Sequence, residues 1–156
     1  MNRALSMFLA AALSVPSAAV SGDRAELIHP EDLQSNLARV LGQAKTAGHA
    51  TVLLAGFGNV ALKLSVLTQS GKAEVHAHVD DVMIVQQGSA TLITGGVLTA
   101  WGELSNSGIE GTAIQKGFAH KIAAGDVILI PAGVPHQLLI PPGTTYTYLV
   151  AKVKEP

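Results

Sequence analysis

Cysteine is absent from the 156 residues, so the chain has no disulfide, no thiolate metal site and no cysteine nucleophile. Charge and aromatic rings are also scarce: charged residues make up 13% and aromatic residues 4%, against 48% hydrophobic. A disordered chain or a charge-laced coiled coil needs far more solvated side chains, so both are excluded. Lys plus Arg number 10 against 11 Asp plus Glu, a formal net charge of -1, and no run of basic residues breaks that balance. Phosphate binding requires a basic face, so nucleic acid is not an expected partner. The length suits one domain of about 100 to 200 residues and leaves no room for a second. With thiols missing, any metal must be held by carboxylates and the 6 histidines.

Residues 1–21 read as a secretory signal. Asn2 and Arg3 form a short positive start, Ala4 to Val15 is apolar but too short to span a bilayer, Pro16 breaks it, and Ser17-Ala18-Ala19 supplies the small residues of a cleavage site. No other apolar run has transmembrane length. The expectation is an exported chain, periplasmic or secreted, with no membrane association once the signal is removed. Residues 22–47 would then be an N-terminal segment with one helix, and residues 48–156 the main domain.

That helix is expected over Pro30–Ala44, where Leu33, Leu37, Val40 and Leu41 fall at helical spacing behind Pro30, Glu31 and Asp32. Beyond Gly48 the pattern changes to period two. Thr51–Gly56, Val60–Thr68, Ala73–His78, Val82–Gln87, Ala90–Thr94 and Val97–Trp101 read as strands, punctuated by Gly58-Asn59, Ser70-Gly71, Gly88-Ser89 and Gly95-Gly96. Gly102–Gly117 reads as a long loop or extended hairpin. Strands resume at His120–Ala123, Val127–Ile130, His136–Ile140 and Tyr146–Val153. Roughly ten short strands after a single helix predict an all-β antiparallel sandwich or closed barrel.

Two segments carry chemistry. The first runs Gly71-Lys-Ala-Glu74-Val-His76-Ala-His78-Val-Asp-Asp81 and on to Gly88; the second runs Gly125-Asp-Val-Ile-Leu-Ile-Pro131-Ala-Gly133-Val-Pro-His136. Together they resemble the two motifs of the cupin superfamily. The second keeps every spacing of its motif except that Ile140 stands where Asn is the rule. The first departs more: Asp81 replaces a Glu, and two registers are open. Either Glu74 and His76 take the positions of the usual histidine pair, or His76 and His78 are that pair and the turn before Asp81 is shortened. Both registers keep His76, Asp81 and His136.

The resemblance implies a double-stranded β-helix barrel behind the short N-terminal helix. It also implies a divalent metal held by His76, His78, Asp81 and His136, and a range of activities that includes dioxygenases, isomerases and lyases as well as non-catalytic binding proteins. Residue chemistry points the same way. In a continuous strand Glu74, His76 and His78 project to one face, and three ionisable groups facing a barrel interior need water, hydrogen bonds or a metal to satisfy them. Imidazoles with a carboxylate suit Zn, Mn, Fe or Ni. Glu74, where it is not a ligand, is placed to act as general base.

The expected function is therefore that of an exported small barrel that binds a divalent metal and acts on a small oxygenated substrate. The alternative is a ligand-binding barrel whose metal site is degenerate or lost. His29, His49 and His120 read as solvent-facing or strand-edge residues, and Tyr146 and Tyr148, two apart on one strand face, are expected to pack. Thr51–Ala55 and Val60–Val66 are apolar and almost uncharged, which together with the habit of small single-barrel cupins implies a homodimer through sheet edges.

Overall fold

The computed structural model describes residues 25–100, 102 and 108–155; the expected signal segment, residues 1–21, lies outside them. The described chain opens with helix α1 (Pro30–Ala47). Pro30 begins it, Glu31 and Asp32 face its positive end, and Lys45 sits in the last turn. It runs three residues past the expected Ala44. Nothing in Lys45-Thr46-Ala47 opposes a helix, and it stops only where Gly48 adopts φ 85 and returns its N–H to the Ala44 carbonyl.

Twelve strands follow among the described residues: β1 (His49–Phe57), β2 (Val60–Leu67), β3 (Ala73–Val75), β4 (Val79–Gln87), β5 (Ser89–Thr94), β6 (Val97–Thr99), β7 (Ile109–Gly111), β8 (Ala113–Gln115), β9 (Phe118–Ala123), β10 (Val127–Ile130), β11 (His136–Leu139) and β12 (Tyr146–Lys154). One five-stranded sheet has the order β1-β2-β12-β4-β10 and a second the order β7-β3-β11-β5-β9, while β6 and β8 form a small ribbon. Strands β7 and β8 occupy the stretch read as a loop or hairpin. The two larger sheets close on a shared core of Leu67, Met83, Val85, Ala90, Leu92, Ile122, Ile130, Leu138, Ile140, Tyr146 and Val150. Burying a side chain such as Leu92 contributes about 2 kcal/mol. The architecture is the expected all-β barrel with one short helix.

On the outer side of the first sheet, Val40 and Ala44 of α1 pack on Val66, with Leu37, Leu41, Ala50 and Val52 around them. The helix thus covers the β1–β2 half. Strand β2 is paired on both sides, so of the two strands read as open edges only β1 has one.

Strand β3 is shorter than expected. It ends at Val75, and Ala77-His78 form a turn into β4, which begins at Val79 instead of Val82. The carbonyls of His76 and His78 are taken from outside, by Gly133 N–H at 2.8 Å and Glu155 N–H at 3.0 Å. Asp80 also accepts the Ala132 N–H at 2.8 Å. The Pro131–Gly133 turn is thereby fastened to the His76–Asp80 corner, joining the two sequence motifs. Gly133 sits at φ 77 and Gly88 at φ 82; a Cβ on Gly88 would stand 2.2 Å from the Thr145 carbonyl oxygen, so no other residue fits that turn.

Candidate metal centre

Register builds the site. His136 on β11 lies directly opposite Glu74 on β3, and Lys152 on β12 lies directly opposite Asp81 on β4. His76, just past the end of β3, completes the group, its ring centroid 5.2 Å from that of His136. His76, Asp81 and His136 are buried, and Glu74 is half-buried. Among the described residues, Glu74, His76 and His136 each offer one ligand atom, and the three atoms lie within 4.8 Å of one another. A cavity of about 430 Å³ opens onto the site, with Ser65, Glu74, Asp81, His136, Tyr148 and Lys152 in its wall.

The protonation pattern follows from the partners. His136 Nδ1 lies 3.0 Å from the Val134 carbonyl oxygen, which can only accept, so Nδ1 carries the proton and Nε2 keeps its lone pair. Burial pushes the His136 pKa down, against the pull of that carbonyl and the nearby carboxylates. Lys152 Nζ lies 3.0 Å from His76 Nε2; a lysine only donates, so this nitrogen holds its lone pair too. Around these rings stand Glu74 Oε2, 3.3 Å from His76 Nε2, and Asp81 Oδ2, 3.7 Å from His76 Nε2 and 3.8 Å from His136 Nε2. Burial pushes the Glu74 carboxyl up, but the hydrogen bond His76 donates once that ring is protonated, and the fields of His136, His76 and Lys152, hold it below the usual carboxylate range. Two imidazole lone pairs and the Glu74 carboxylate thus converge, with the Asp81 carboxylate beside the two rings. Such a set calls for a cation.

A model of the cupin family matches residues 30–139. This chain belongs to the cupin family. Among solved structures it is similar to TT1209 from Thermus thermophilus, at 20% identity and TM-score 0.53 over 77% of this chain and 95% of that one. It is also similar to KdgF from Halomonas sp., at 12% identity and TM-score 0.51 over 70% and 82% of the two chains. The polyketide cyclase RemF from Streptomyces resistomycificus matches at 19% identity and TM-score 0.50, over 70% and 68%. At these identities the likeness carries the fold and not the chemistry. No curated protein matches the chain.

Not every residue singled out by the cupin motifs meets at this point. His78 stands apart: its side chain is 82% exposed and its Nδ1 lies 3.4 Å from Glu155 Oε2. The face-sharing expected of Glu74, His76 and His78 holds only while the chain stays in a ladder, and the Ala77-His78 turn ends that alternation. Asp81 is close, but both its oxygens are 2.8 Å from Lys152 Nζ. Lys152 was not legible as a site residue. The available signal was its position two residues beyond Val150 and four beyond Tyr148, a lysine on the inward face of β12. Tyr148 lines the cavity, its pKa pushed up to about 12 by burial against a hydrogen bond with Ser65. Ser65 in turn lies 2.8 Å from the Thr51 hydroxyl.

Proposed function

We propose that this cupin is an exported protein that holds a divalent metal through Glu74, His76 and His136 and acts on a small oxygenated molecule in the barrel cavity. The observation that carries this is the convergence of those three donor atoms within 4.8 Å, with Glu74 and His136 in the cavity wall. Two histidines with one carboxylate suit Zn, Mn, Fe or Ni, and a set of three protein donors would leave positions for a ligand. A metal bound there would supply Lewis-acid polarisation of a ligand oxygen. The chain's own groups do the rest. The Val134 carbonyl fixes the His136 ring with Nε2 toward the site, and the half-buried Glu74 keeps its carboxylate ionised. Tyr148, protonated at neutral pH, offers a hydroxyl beside Ser65 to a bound oxygenated compound.

A second function has its own observation. Lys152 spans Asp81 and His76, which gives the site a cation without metal and favours a barrel that captures a small ligand unchanged. Chelator-stripped protein and protein reloaded with Zn2+, Mn2+, Fe2+ or Ni2+ are compared against a panel of small hydroxy, keto and carboxylate compounds by mass spectrometry. Metal-dependent consumption that disappears in His136→Ala supports the enzyme. Saturable binding without consumption, unchanged by stripping, supports the capture protein and contradicts the enzyme. Export rests on the residue 1–21 pattern; N-terminal sequencing of protein recovered from an exported fraction is expected to begin at residues 20–22, and an intact Met1 would overturn cleavage.

A further inference from the structure

The Lys152 ammonium has three N–H donors, and three acceptors meet it: Asp81 Oδ1 and Oδ2, each at 2.8 Å, and His76 Nε2 at 3.0 Å. Its donor capacity is saturated by groups that the motif places at a metal site. Strand register places it there, since Lys152 is paired directly across from Asp81 in the β12–β4 ladder. The His76 Nε2 lone pair can accept from an ammonium or ligate a metal, and it cannot do both. A divalent ion at Glu74, His76 and His136 would also sit close to a positive charge held against Asp81, where Coulomb repulsion in a partly dry cavity is strong.

We propose that Lys152 is a cation, tethered by Asp81, that competes with divalent metal for His76, so that metal enters only when the lysine side chain swings away. The inference rests on the metal reading of Glu74, His76 and His136 given above. It assigns Asp81 a different part from the one its motif suggests: Asp81 is the counter-ion that holds the lysine in the metal-free protein. The Lys152 side chain lines the cavity and is 26% exposed, so the ammonium has solvent-accessible space to move into. Asp81, at 6%, does not. The moving partner is therefore the lysine.

Calorimetric titration of Zn2+ into chelator-stripped protein tests this, using wild type, Lys152→Met, Lys152→Arg and the double variant Lys152→Met/Asp81→Asn. The double variant removes the buried carboxylate that Lys152→Met leaves unpaired, and thermal melts establish that each protein is folded. Zn2+ is expected to bind Lys152→Met and the double variant about ten- to hundredfold more tightly than wild type, with Lys152→Arg staying near wild type. Equal affinity in wild type, Lys152→Met and the double variant overturns the competition and leaves the metal reading standing. Metal uptake by the Met variants alone supports the competition and contradicts the metal reading of the native protein. No uptake by any of them overturns both.

Discussion

Tyr146 is fully buried, and among the described residues its hydroxyl finds no hydrogen-bond partner. Burial pushes its pKa up, and the neighbouring Tyr148 ring, 5.5 Å away, adds to the shift. A buried hydroxyl without a partner carries its desolvation penalty uncompensated, so Tyr146→Phe is expected to stabilise the fold by about 1 kcal/mol in denaturant unfolding. A loss of that size would show that the hydroxyl is satisfied. His136 makes a pH prediction. Its folded pKa is lowered by burial, so the unfolded chain takes up a proton near 6.5 that the folded chain refuses. Stability is therefore full above about pH 6.5 and falls on acidification through that value; Glu74, with a lowered folded pKa, adds a further loss below about 4.5. The melting temperature of chelator-stripped protein from pH 8 to pH 5 is expected to fall in wild type and to change less in His136→Gln. A flat wild-type profile would contradict it. His76 and His136 were legible because motif spacing fixes their places whatever surrounds them. His78 and Lys152 were not, because one depends on where a strand stops and the other on which strand lies across the sheet.

Helix α1 and the strands were legible for a different reason: period-two runs divided by glycines, and one helical stripe behind a proline, are local signals. What eluded them was context. Strand β3 ends early because backbone donors at Gly133 and Glu155 take the carbonyls that a longer ladder would need. Strands β7 and β8 are three residues each, too short for any periodicity. The helix is held through a small contact, Val40 and Ala44 on Val66, all three at 0% exposure. Val40→Ala is expected to cost about 1.5–3 kcal/mol, read from the denaturation midpoint. A cost below about 0.5 kcal/mol would mean that α1 is not fastened to the barrel through this contact.

Among the described residues, β1 and β10 are the edge strands of one sheet, with Leu53 and Phe57 exposed on the first and Val127 and Leu129 on the second. Unprotected apolar edges favour pairing, and we propose that the protein is a homodimer through a sheet edge. Sedimentation at micromolar concentration is expected to return twice the mass of the chain; a single-chain mass throughout would contradict it. Both sheets also have to be in register for the site to exist, since Glu74 and His136 come from one and Asp81 and Lys152 from the other. Metal binding at this juxtaposition is tested by equilibrium dialysis against Zn2+ followed by metal analysis. One ion per chain is predicted for wild type and for His78→Ala, and none for Glu74→Ala or His136→Ala. Zinc retained by Glu74→Ala and His136→Ala, or lost only in His78→Ala, would show that Glu74 and His136 do not hold the ion.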